Sequence, residues 1–148
     1  MAKPRRQTTL ELIFQDHSEG SQLPNLAQLT TWLETVVADV CADASTLGVC
    51  FVEEREMQEA NGRYRGKDAP TDVLSFPGET TDDGLHLGDI MISLPTARRQ
   101  ACERGHSVQV EISLLLLHGV LHCMGWDHEV DSGEMVRREL ELRQRFLS

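Results

Sequence analysis

No stretch of this sequence is apolar for long enough to cross a bilayer, which takes about 20 consecutive apolar residues. The apolar run that starts at Leu114 is broken by His118 and His122. Lys3, Arg5 and Arg6 sit near the N-terminus, but Glu11 interrupts the apolar residues from Leu10 to Phe14. No secretory leader or membrane association is therefore expected, and the cytoplasm is the expected compartment. The four cysteines, Cys41, Cys50, Cys102 and Cys123, form no CxxC pair and no regular frame. That argues for reduced core residues rather than disulfides or a thiolate metal site. Positive charge is short as well, with 14 Lys and Arg against 24 Asp and Glu, a formal net charge of −10. Proteins that coat nucleic acid non-specifically are usually basic. A polyanionic substrate here must meet a local positive patch or be delivered by a partner. Internal repeats, low-complexity tracts and linkers are missing too, and 148 residues suit a single domain spanning 1–148 with a sizeable core.

What is present reads as strands mixed with helices. Thr9 to Asp16 is strand-like. Leu26, Leu29, Leu33, Val36, Val37 and Val40 recur at helical spacing, so an amphipathic helix is expected over about 24–41. Thr46 to Val52 reads as a strand, and Glu53 to Ala60 as a polar helix stopped by Asn61-Gly62. Val73 to Phe76 and Leu87 to Ser93 are further strands. Ser93 caps the next helix, with Pro95 in its first turn and Gly105 at its end. From Ser107 to Met124 the chain is apolar on nearly every helical face, the mark of a buried central helix. Asp131 and Glu134 resemble a capping box for a C-terminal helix. Without regular βαβ alternation the expected class is α+β: one small mixed sheet of about four strands with about five helices.

The chemistry concentrates in His118-Gly-Val-Leu-His122-Cys-Met-Gly125-Trp-Asp-His128. Residues four apart on a helix share a face, so the imidazoles of His118 and His122 can reach one ion. Gly125 can turn the chain sharply and return His128 as a third ligand. Three imidazoles leave one tetrahedral position open, as catalytic zinc sites do, whereas structural sites fill all four. The spacing is that of the metzincin proteases, which carry a glutamate base directly after the first histidine. Gly119 stands there instead, which demotes peptide hydrolysis. Cys123 points away from the two histidines, and Asp127 is a candidate for orienting a ligand from behind. His17, His86 and His106 lack such spacing and read as surface or packing residues, His86 being a candidate for lining the cleft.

The second informative stretch runs from Asn61 to Pro77 and opens with Arg63, Tyr64, Arg65 and Lys67. Arginine can hold a phosphate with two parallel donors and tyrosine offers a face on which a base can stack. On composition alone a short basic loop is also what a solvated surface loop looks like.

Together these stretches resemble the YbeY family of bacterial endoribonucleases. The histidine segment is similar to that family's HGxLHxxGyDH signature, with Trp126 at the usual tyrosine. Residues 61–77 resemble its N-x-x-Y-R-x-K-D-x-P-T-(N/D)-V-L-S-F-P block, and Leu87-Gly88-Asp89-Ile90 resembles its L-G-D-I strand. The resemblance implies a zinc-dependent endoribonuclease preferring single strands, acting in 16S rRNA 3′-end maturation and ribosome quality control. One Zn²⁺ would be held by His118, His122 and His128 on the central helix and the turn after it. Arg65 would be the catalytic arginine, and Arg63, Tyr64 and Lys67 candidate substrate contacts. Single-stranded rRNA and ribosomal components are the implied partners, and DNA is not. Two other readings fit the histidines alone: a zinc metalloprotease-like hydrolase, and a non-catalytic, ribosome-associated zinc protein.

Overall fold

The computed structural model describes residues 9–127 and 129–147. Its elements run β1 (Glu11–Asp16), α1 (Leu26–Val40), β2 (Ala44–Val52), α2 (Glu54–Arg65), β3 (Val73–Pro77), β4 (Thr80–Thr81), β5 (Gly84–Ser93), α3 (Leu94–Arg104), α4 (Val108–Cys123) and α5 (Glu134–Leu147). The sheet is mixed, in the order β1-β2-β5-β3, with β4 also paired to β5. β1 and β5 run parallel to β2, while β3 and β4 run antiparallel to β5. The expected α+β class holds, and the two-residue β4 brings the described strands to five.

Alternation along the strands divides the apolar residues between two faces. Leu47, Val49 and Phe51 of β2, with Ile90 and Ile92 of β5, pack with Leu29, Leu33, Leu116 and Val120 into the main core. Val52 faces the other way and joins Met57, Ala60 and Leu74 beneath α2. A third cluster of Val36, Leu117, Leu121, Met135 and Leu142 fastens α5 to α1 and α4. Each fully buried leucine contributes about 1.5–3 kcal/mol, so α4, with Leu116, Leu117 and Leu121 all at 0% exposure, is the most firmly held element. That matches the all-round apolar reading of residues 107–124. No helix among the described residues is long and apolar enough to cross a membrane.

The caps explain the boundaries. Asn25, Ser93 and Ser107 accept backbone N–H groups at the starts of α1, α3 and α4. At α5, Asp131 accepts from the N–H groups of Gly133 and Met135, while Glu134 accepts from Ser132. The expected stop at Asn61-Gly62 is corrected: α2 continues to Arg65 and ends at Gly66. Asn61 is buried rather than terminal, its side-chain N–H₂ donating to the Ala69 carbonyl at 2.8 Å. That bond folds the following loop back under the helix and makes the asparagine compatible with a helix interior. The cysteines are free, as expected, but only Cys123 is buried and Cys102 is exposed.

Candidate active site

α4 carries His118 and His122 side by side, their rings edge to face with centroids 4.5 Å apart. The two Nε2 atoms face each other at 2.9 Å. Each Nδ1 is committed elsewhere: that of His118 to the Glu139 carboxylate on α5, that of His122 to the Trp126 carbonyl at 2.9 Å. A carboxylate or carbonyl accepts, so each Nδ1–H donates there, which turns the Nε2 atoms toward one another as the nitrogens that would meet a shared ion. Two such nitrogens aimed at one place form an arrangement that a shared cation stabilises, and back-up acceptors on Nδ1 are the usual companions of metal-binding imidazoles. The donor set therefore fits a divalent metal. Among the described residues no third His, Cys, Asp or Glu joins this pair in position to hold an ion. His128, the expected third ligand, lies outside the described residues.

The turn after α4 follows the expectation for Gly125. Its φ is +94°, a left-handed conformation suited to glycine. Its N–H donates to the His122 carbonyl at 2.9 Å, and the Trp126 N–H donates to Leu121 at 3.1 Å. This reversal brings the Trp126 carbonyl back over His122. Gly119 has a separate reason. A Cβ there would lie 2.9–3.0 Å from Ile90 side-chain atoms and 3.0 Å from the Ser75 hydroxyl. The position where metzincins carry glutamate lies close against the sheet, so a side chain there would force Ile90 or Ser75 to shift.

A cleft of about 730 Å³ opens over the two imidazoles. β3 forms one wall, Gly125, Trp126, Asp127 and Glu129 another, and Tyr64, Arg65 and Lys67 line it at the end of α2 and just beyond. Arg65 leans on Glu129, with Nη2 to Oε1 at 3.7 Å and both side chains about half exposed. Asp72 and Asp127 also line the cleft, so its charge is mixed rather than uniformly basic. Arg63 does not share this cleft. It lines a second hollow of about 580 Å³, and Tyr64 and Phe76 border both. Their rings meet edge to face at 5.0 Å, forming the partition.

Asp127 lines the cleft, and its Oδ1 accepts the Glu129 N–H at 2.9 Å, closing the turn. His86 lies away from the cleft, bonded to Thr46 and Asp89. His106 joins Arg104 in clasping the fully buried Glu111. Cys123 packs near Gly88, and burial pushes its thiol up to about 12. Glu139 went unnoticed in the sequence. Burial raises its pKa, but the His118 hydrogen bond and charge, aided by Arg143 and His122, outweigh that and hold it below the usual carboxylate value. Its only local signal was Arg143 one turn later, an ordinary helix-surface pair.

The family model described as Endoribonuclease YbeY matches residues 13–146. An Endoribonuclease YbeY of Picosynechococcus is 40% identical, with 88% of this chain and 90% of the relative aligned. One of Campylobacter jejuni is 50% identical over 65% of this chain and 71% of its own length. The solution structure of TM1509 from Thermotoga maritima superposes with a TM-score of 0.59 at 30% identity, covering 87% of this chain and 85% of that one. With the fold, the paired imidazoles and the matched span in agreement, this chain belongs to the Endoribonuclease YbeY family.

Proposed function

We propose that this chain is a zinc-dependent endoribonuclease that cuts single-stranded RNA, acting on ribosomal RNA at the 16S 3′ end and in ribosome quality control. The observation that carries this reading is the pair of Nε2 atoms 2.9 Å apart at the base of a cleft that Arg65 and Lys67 also line. His118 and His122 would hold the ion, with His128 completing the set. A zinc held there would supply Lewis acidity.

The chain's own residues account for the rest. Glu139 and the Trp126 carbonyl keep both imidazoles in the tautomer that binds a cation. Arg65 would face a phosphate with two parallel donors and stabilise charge that builds up on it during cleavage. Its contact with Glu129 is long and half exposed, worth at most about 1 kcal/mol, so a phosphate can displace the carboxylate. Tyr64, 60% exposed at the rim, offers a stacking face for an unpaired base. Few cations line the cleft and the chain as a whole is acidic. Affinity should therefore fall only modestly with salt, and ribosomal partners would supply targeting.

Gly119 counts against a protease of the zincin type, since a glutamate side chain cannot be placed there without moving Ile90 or Ser75. The deciding experiment is cleavage of single-stranded RNA by the wild type and by His122→Ala, with casein as parallel substrate. RNA cleavage that His122→Ala abolishes, with casein untouched, is the expected result. Equal RNA cleavage by both proteins would sink the proposal.

A further inference from the structure

We infer that Glu139 is a positioning residue for the imidazole pair, acting through His118 with Arg143 behind it. An unconstrained neutral imidazole favours its proton on Nε2, the nitrogen that would have to bind the ion. The Glu139 carboxylate on Nδ1 reverses that preference and fixes the ring plane. The same carboxylate makes the imidazole a stronger donor, as outer-layer carboxylates do for metal-binding histidines generally. Glu139 is itself restrained. Its side chain is 14% exposed, and its second oxygen lies 3.5 Å from Nη2 of Arg143 one turn along α5. His122 is treated differently, because its Nδ1 is held by a backbone carbonyl that no substitution removes.

A purely structural role, as a clasp between α5 and α4, is the competing explanation. α5 has other anchors. Met135 and Leu142 are buried against Leu117 and Leu121, and Trp32 Nε1 donates to the Phe146 carbonyl at 3.0 Å. Apolar packing of two such side chains outweighs one hydrogen bond to a neutral ring. α5 should therefore stay docked when the Glu139 charge is removed.

This inference rests on the metal-binding reading above, and the test separates the two. Zn²⁺ alone is titrated into the full-length protein against a chromophoric chelator, for wild type, Glu139→Gln, Glu139→Ala, Arg143→Ala and His122→Ala. Long-range ¹H–¹⁵N spectra of the metal-free proteins report the ring tautomers, and thermal melts report folding. Glu139→Ala should weaken Zn²⁺ binding by about 10- to 100-fold, and Glu139→Gln, which keeps an acceptor for Nδ1–H, and Arg143→Ala by smaller factors. The Glu139→Ala spectrum should show His118 moving to the Nε2–H form while His122 stays as it was. The metal-free melting temperature of Glu139→Gln should stay within about 2 °C of wild type. If Glu139→Ala fails to fold, Glu139→Leu, which keeps bulk but offers no acceptor, decides. Affinity abolished by His122→Ala but held within about twofold by the variant lacking an acceptor, less than the usual outer-layer effect, would overturn this inference alone. Affinity indifferent to His122→Ala would overturn the metal-binding reading and this inference with it.

Discussion

Two hollows of similar size flank the Tyr64–Phe76 partition, and size does not tell them apart. One measures about 730 Å³ and the other about 580 Å³. The chemistry of their walls does. In the smaller hollow, His17 sits on Glu56 at 2.9 Å, and Glu59 pairs with Arg55. Asp89, also in that wall, pairs with His86 at 3.0 Å. Each of those acids has an opposite group beside it. In the larger cleft two like groups face each other, two imidazole Nε2 atoms 2.9 Å apart. Evolved pairing quiets a surface, whereas a convergence of like donors marks a place meant for something else.

Arg65→Ala carries the largest expected effect. It should lower the rate of RNA cleavage on the order of 10²- to 10³-fold with bound zinc unchanged on elemental analysis. Survival of full activity would reduce Arg65 to an ordinary helix-end residue. Gly119→Ala presses on both hollows at once, since Ser75 lines one and Ile90 the other. Urea unfolding should show a loss of about 1–3 kcal/mol from overpacking, against an intrinsic helix gain of about 1 kcal/mol.

A smaller effect comes from Cys50 in the second hollow, whose thiol is pushed up to about 11 by burial and then by Glu56, Asp16 and Asp89. The raised value means the fold favours the protonated thiol. That contribution is complete below the ordinary 9.0 and is lost as pH rises from there toward about 11. Melting temperature should therefore decline over that window, less steeply in Cys50→Ala. At pH 8 a thiol reagent should modify exposed Cys102 and spare Cys50 and Cys123. The smallest effect belongs to Glu56→Gln. It should leave RNA cleavage within about twofold while speeding alkylation of Cys50, because one of the charges that raise its pKa is gone. Lost cleavage in that variant would join the two hollows into one functional surface.

How much of this could be read from the chain depends on sequence separation. The i, i+4 histidines, the glycine turn and the serine caps are local devices, and each lies where the residues pointed. The uniformly apolar stretch did mark the central helix. Glu139 is 21 residues from His118, and no periodicity connects them. Asn61 reads as a helix breaker until its side chain is seen bonded to Ala69 eight residues on. Gly119 reads as a missing catalytic base, and only the approach of α4 to Ile90 shows that a side chain there would force a shift. Asp127 was the local candidate for supporting a ligand, and it adjoins His128, outside the described residues. His118 and His122 have supports of another kind, a distant carboxylate and a backbone carbonyl.

The close seating of α4 at Gly119 also has a meaning in time. A helix whose backbone lies against the sheet, with Leu116, Leu117, Val120 and Leu121 all fully buried, cannot open by itself without exposing the core. Amide protons around His118 and His122 should then exchange only when the whole domain unfolds.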